Sequence, residues 1–309
     1  MNNDLAYVEI YEEGRARLAE AGIDEAALDA RLLLEFVCGT DRNTLLAHGD
    51  REVSSEECER YRELIRRRAI HVPLQHLTGE QDFMGLPFIV NENVLVPRQD
   101  TEVLVEEVMK HLHDGMRILD VCTGSGCILL SLLHYSNDCD GVGVDLSGQA
   151  LAVARENYER LLAGRPEMKA RFLEGDLFRA LTLAGESDGR TAPDDVKPDG
   201  ETNGLQGRFD VIVSNPPYIK TDVIDTLMPE VREHEPMMAL DGGADGLAFY
   251  RRIAGEAGAY LNGGGMLFFE IGCEQAADVC HIMEEAGFRE IEVVKDFAGL
   301  DRVVYGSWR

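Results

Sequence analysis

At 309 residues and 45% hydrophobic content, the chain is long enough to bury the cores of two domains. Asp and Glu number 57 against 30 Lys and Arg, and the formal net charge of -27 repels polyanions, which speaks against nonspecific nucleic-acid binding. With no basic leader, no run near the roughly 18 apolar residues of a membrane span and no Cys-x-x-Cys among 7 cysteines, the sequence fits a cytoplasmic protein with reduced thiols, no membrane contact and no metal centre.

From Asp4 to about Arg68 the periodicity is helical. Leu28, Leu32, Leu33, Phe36 and Val37 share one stripe ahead of Gly39, and Ser54 with Glu57 forms a capping box that opens a further helix. Residues 1–72 therefore read as a small helical bundle. After Pro73, the run Phe83–Val90, a turn at Asn91–Asn93 and the run Val94–Val96 predict a β-hairpin within a linker over 73–100. Thr101 is placed to cap a helix reaching about His113.

From Met116 onward strands alternate with helices, the pattern of a parallel sheet covered on both faces. The expected strands are Arg117–Val121, Gly141–Asp145, Ala170–Glu174, Phe209–Ser214 and Met266–Ile271. Two further runs, Glu290–Lys295 and Arg302–Ser307, have no helix between them and should pair antiparallel at the sheet edge. Five parallel strands closed by such a hairpin make the α/β, seven-stranded sheet of Rossmann-like class I methyltransferases, here over 101–309. Within it, 183–207 is crowded with Gly, Asp, Pro, Thr and Glu without apolar periodicity, and is expected to be a flexible insertion.

Ile118 to Cys127 runs from a buried strand into a helix beginning near Gly126. Cys122, Thr123, Gly124, Ser125 and Gly126 form the turn, where the two glycines let the backbone approach a ligand at the carboxyl end of the first strand. Asp145, about twenty residues on, is suited to ribose hydroxyls. Asp176 follows the third strand, in reach of an adenine amino group, with Leu177 and Phe178 to cover the ring. A dinucleotide would want a third glycine at 129, where Leu stands, so S-adenosyl-L-methionine is the expected cofactor and S-adenosyl-L-homocysteine its product.

The strand Phe209–Val213 delivers Asn215-Pro216-Pro217-Tyr218 to the same sheet edge. Two prolines remove N–H donors and stiffen an extended turn whose exposed groups are acceptors. The Asn215 side-chain oxygen and the Pro216 carbonyl can take both hydrogens of one NH2 group while Tyr218 lies on its planar face. An amide nitrogen needs such a clamp, because its lone pair is delocalised and must be turned toward the methyl group.

With these residues in place, the chain resembles the protein-(glutamine-N5) methyltransferases of peptide-chain release factors, the PrmC/HemK family. Pro73-Leu74-Gln75-His76-Leu77-Thr78-Gly79 with Phe83, Val96-Pro97-Arg98-Gln99-Asp100-Thr101-Glu102, Glu235-Pro236 through Leu247, and Asp301-Arg302-Val303 extend the similarity over essentially the whole chain. Two features depart from the pattern: Cys122 occupies a position usually held by glycine, and the insertion 183–207 is longer than usual. The resemblance implies that Asn215, Pro216 and Tyr218, with Pro217, bind the glutamine amide of a Gly-Gly-Gln loop. It implies that Asn215 also borders the cofactor and that the N-terminal helices dock the rest of a protein substrate. A monomer is expected, with no direct nucleic-acid partner. The alternative is an adenine-N6 methyltransferase on DNA or RNA, which shares the Asn-Pro-Pro-Tyr tetrapeptide but calls for a basic face.

Overall fold

Ser54 and Glu57 form the reciprocal cap expected of them: the Glu57 amide donates to Ser54 Oγ at 3.3 Å and the Ser54 amide to Glu57 Oε2 at 2.9 Å. In the computed structural model, which describes residues 5–165, 168–182 and 208–309, the chain divides into two compact units. One holds residues up to 80 with 227–234, and the other holds 81–226 with 235–309. The stretch 183–207, expected to be a flexible insertion, lies outside the described residues.

In the first unit, α1 (Tyr7–Glu20), α2 (Ala26–Cys38) and α3 (Ser55–Arg68) pack around Ile10, Leu18, Leu33, Leu34 and Tyr61. The Tyr61 hydroxyl finds its partner inside that core, donating to the Ala30 carbonyl at 3.1 Å. Arg68 is buried but doubly paired, to Asp29 at 2.7 Å and to Glu230 of the short helix Pro229–His234 at 3.0 Å.

A hairpin of β1 (Glu80–Phe83) and β2 (Leu86–Ile89) leads into the second unit. It lies earlier than the sequence suggests. Its turn is Met84-Gly85, both at positive φ (51° and 70°), which is the two-residue geometry that matches strand twist, and Val94–Val96 is not a strand. Helix α4 (Gln99–His111) begins two residues before Thr101, so Thr101 lies buried in its first turn instead of capping it.

The sheet contains β3 (Arg117–Val121), β4 (Asp140–Asp145), β5 (Lys169–Glu174), β6 (Phe209–Ser214), β7 (Leu261–Glu270), β8 (Arg289–Lys295) and β9 (Asp301–Ser307), in the order β8-β9-β7-β6-β3-β4-β5. The pairs from β5 through β7 are parallel, and β9 pairs antiparallel with both β7 and β8, as the helix-free connection predicts. Alternate side chains feed two cores. Ile118, Val211, Val213 and Phe268 meet α4, α5 (Cys127–Tyr135) and α6 (Gly148–Leu162). Leu119, Val121, Ile212 and Phe269 meet α7 (Ala248–Ala257) and α8 (Ala276–Ala286). The topology reverses at β3, so β3 and β6 point their carboxyl ends at one crevice, where open α/β sheets bind ligands.

Candidate active site

The turn after β3 is held open by its neighbours. Gly124 (φ 55°) and Gly126 (φ 79°) adopt the left-handed conformation, and a Cβ at Gly124 would meet no atom within 4 Å, so this backbone faces free space. Asp145 fixes its shape: Oδ2 accepts from the Gly124 amide and Oδ1 from the Ser147 amide, each at 2.9 Å. From α6, Asn157 donates to the Ser125 carbonyl at 3.0 Å and pairs with both backbone groups of Ile89, tying β2 to the turn. Cys122 also has a left-handed φ of 64°, a conformation glycine adopts freely and cysteine does not.

Two carboxylates lie inside this corner. Burial raises Asp145 above the usual carboxylate range against the pull of its amide donors. Asp120 is wholly buried. Its Oδ2 accepts from Thr123 Oγ1 at 2.6 Å, its Oδ1 has no partner among the described residues, and desolvation pushes its pKa up to about 7. Open backbone beside a part-buried carboxyl and a wholly buried one with an orphan oxygen fits a ligand that carries hydroxyl groups and positive charge.

At the end of β5 the arrangement differs in part from expectation. Asp176 is half-exposed, and both its oxygens take an Arg252 guanidinium at 2.8 Å. Leu177 has φ 52° and is packed into the core. Phe178 is buried and stacked on Tyr260, with ring centroids 4.7 Å apart, so it is not available to cover a ligand ring.

Ser214 ends β6 and donates to the Val121 carbonyl at 2.6 Å, fastening the second loop to the first. Pro216 and Pro217 are buried, whereas Asn215 and Tyr218 are partly open. Asn215 Nδ2 points at Thr101 Oγ1, 3.4 Å away, which leaves Oδ1 as the group it can present outward. Tyr218 is gripped from two sides. Its carbonyl accepts from Gln275 Nε2 at 3.1 Å, and its hydroxyl donates to Glu270 Oε1 at 3.4 Å. The loop around Gly242 lies directly on it: a Cβ there would come within 2.7 Å of Tyr218 Cα and 2.8 Å of the Pro217 carbonyl. Glu235 is also structural, accepting from the Val96 amide at 3.2 Å and from Arg98 at 2.7 Å.

The fold thus brings Cys122–Gly126, Asp145 and Asn215–Tyr218 to neighbouring strand ends. Sequence reading overlooked Asp120, Asn157, Glu270 and Gln275. Glu270 carried a legible signal, an acid terminating the apolar run Met266-Leu267-Phe268-Phe269. Gln275 carried none, because a lone glutamine before a helix has no characteristic spacing.

A doubly wound sheet with a glycine turn after its first strand, an acid closing its second and Asn-Pro-Pro-Tyr following its fourth defines a Rossmann-like methyltransferase. Residues 9–79 match the PrmC N-terminal domain family, and residues 118–191 match the Methyltransferase domain family. The release factor glutamine methyltransferase of Caulobacter vibrioides is 42% identical, over 98% of this chain and 96% of that protein, and that of Geobacter sulfurreducens is 41% identical, over 94% and 93%. Among solved structures, protein-(glutamine-N5) methyltransferase (release factor-specific) of Alicyclobacillus acidocaldarius is 28% identical with a TM-score of 0.38, covering 72% of this chain and 99% of that one. The chain belongs to the release factor glutamine methyltransferase family.

Proposed function

We propose that the protein transfers a methyl group from S-adenosyl-L-methionine to the side-chain N5 of the glutamine in the Gly-Gly-Gln loop of peptide-chain release factors. The observation that carries this reading is the orientation of Asn215: its amide nitrogen is turned to Thr101, which leaves its oxygen as the acceptor for a substrate. The Pro216 carbonyl has no backbone hydrogen bond among the described residues and serves as the second acceptor. Together they take both hydrogens of one NH2 group. The nitrogen lone pair is then directed away from them, and Tyr218 supports the amide plane.

Cys122 to Gly126 with Asp145 hold the methionine and ribose portions of the cofactor. Asp176, which follows β5 and is half-exposed, takes the adenine amino group, and Asn215 stands between cofactor and substrate. When bound, the cofactor supplies a sulfonium methyl and leaves as S-adenosyl-L-homocysteine, while the nitrogen loses one proton to water. Residues 1–72 form the docking domain for the factor and 73–100 the linker. No helix among the described residues is long and apolar enough to cross a membrane.

The test is transfer of labelled methyl to a release factor carrying Gln or Ala in its Gly-Gly-Gln loop. Label only with Gln is expected. Equal labelling of both, or label in added DNA or RNA, would overturn the reading, the latter in favour of adenine.

A further inference from the structure

Strands β8 and β9 are joined by Asp296-Phe297-Ala298-Gly299-Leu300, a tip braced from within. The Asp296 amide donates to the Leu300 carbonyl at 2.8 Å, and Asp296 Oδ1 accepts from the Ala298 and Leu300 amides at 2.9 and 3.0 Å. Its charges close on one another. Asp296 Oδ2 accepts from Arg302 at 3.0 Å, and Lys295 Nζ donates to Asp301 at 2.7 Å. Arg302 also reaches Asp100 of α4 at 3.0 Å, which fixes the tip to the body of the domain.

On this braced tip Phe297 is 90% exposed and Leu300 48%. Single exposed apolar side chains are ordinary on loose loops. Here the backbone is ordered and the charges are satisfied internally, so what the tip offers to its surroundings is an apolar pair held in one place. A preorganised aromatic of this kind is the usual anchor of a protein interface, since little freedom is lost when it is buried.

The tip stands beside the catalytic loop. In the sheet β9 neighbours β7, and β7 neighbours β6, whose end carries Asn215 to Tyr218. Because β9 runs antiparallel to β7, with Val303 opposite Glu270 and the Ile271 amide bonded to the Arg302 carbonyl at 2.9 Å, its first residues lie at the edge where β6 delivers that loop. Two strand spacings put β9 roughly 10 Å from β6. A second exposed apolar pair, Met237 and Met238, opens the short helix Met237–Leu240, and the Leu240 carbonyl accepts from the amide of Ile219, next after Tyr218, at 3.0 Å.

A glutamine carried on a protein reaches the crevice only when the surface around it lies over this rim. We infer that Phe297 and Leu300, with Met237 and Met238, form a docking face for the protein substrate, and that Phe297 fills an apolar pocket on the release factor beside its Gly-Gly-Gln loop. This rests on the substrate proposed above. A second copy of the chain is a poor occupant, because each copy carries a net charge of -27 and the two repel.

The experiment follows methylation of a release factor over a range of factor concentrations at saturating cofactor, comparing wild type, Phe297→Ala, Phe297→Leu and Asn215→Ala. Cofactor affinity, thermal unfolding and sedimentation are measured in parallel. Phe297→Ala is expected to raise KM for the factor on the order of 30-fold, the size of a truncated interface anchor, with kcat, cofactor affinity and unfolding temperature unchanged. Phe297→Leu should recover most of that loss. If wild type methylates the factor, Asn215→Ala does not, and Phe297→Ala keeps the wild-type KM, the docking face is overturned and the proposed function stands. A fall in kcat at unaltered KM would overturn it too, by making the tip a support of the catalytic loop. Dimers of wild type that disappear in Phe297→Ala, again at unaltered KM, would assign the face to a second copy instead. No label on the factor from wild type would overturn the proposed function, and the docking face with it.

Discussion

Replacing Asp120 with Asn should stabilise the protein, and more so as pH rises. The carboxyl is buried, and its pKa is pushed from an ordinary 3.8 up to about 7. Below the ordinary value both folded and unfolded states are protonated, and the group costs nothing. Between the two values the unfolded chain releases a proton that the folded chain retains, so stability falls with rising pH until the folded group also ionises. At about 1.4 kcal/mol per unit, the three-unit gap amounts to a full penalty of ~4 kcal/mol above neutrality. Asn accepts the Thr123 hydroxyl hydrogen as Asp does but never titrates. Urea unfolding at pH 5 and pH 8 should show the advantage of Asp120→Asn widening by ~3 kcal/mol between them, since about two units of the gap lie in that window. Glu270, its pKa likewise pushed up to about 7 by burial, titrates in both proteins and cancels in the difference. A constant difference across that range would refute the assignment of a raised pKa to Asp120.

Substitutions at three other positions probe the site. Asp145→Ala removes the acceptor of two turn amides and should weaken cofactor binding by ~2 kcal/mol in calorimetry; an unchanged Kd would show that the turn holds its shape without it. Gly242→Ala forces a Cβ against the Tyr218 backbone and should lower kcat by about 100-fold with cofactor affinity intact, whereas unaltered kcat would mean that Tyr218 tolerates displacement. Cys122→Val, β-branched at a left-handed φ, should cost ~2 kcal/mol of stability while Cys122→Gly stays within ~1 kcal/mol of wild type; equal losses would point to packing instead of backbone strain.

The strands with their antiparallel edge hairpin, and the two loops of the site, were legible because both depend on short-range signals. Alternating βα periods, a glycine turn and a Pro-Pro dipeptide each constrain a few consecutive residues. The hairpin was misplaced because Asn91-Glu92-Asn93 carries the stronger turn composition, whereas Met84-Gly85 reveals itself only through the left-handed φ that Met84 accepts. Thr101 looked like a cap because its side chain suits one, yet tertiary packing gives that hydroxyl to Asn215. Asp176 shows the same limit in reverse: its position at the end of β5 was readable, but its pairing with Arg252, 76 residues away, was not. Contacts distant in sequence, such as Glu270 with Tyr218 and Gln275 with the Tyr218 carbonyl, leave no local pattern, and these hold Tyr218 in place.

The proposed presentation of a glutamine amide by Asn215 and Pro216 is open to fragmentation mass spectrometry of a release factor treated with the protein and S-adenosyl-L-methionine. One methyl group on the side-chain nitrogen of the Gly-Gly-Gln glutamine, absent when Asn215→Ala replaces the wild type, is the predicted result. A methyl group on another residue, or an equal yield from Asn215→Ala, would contradict it.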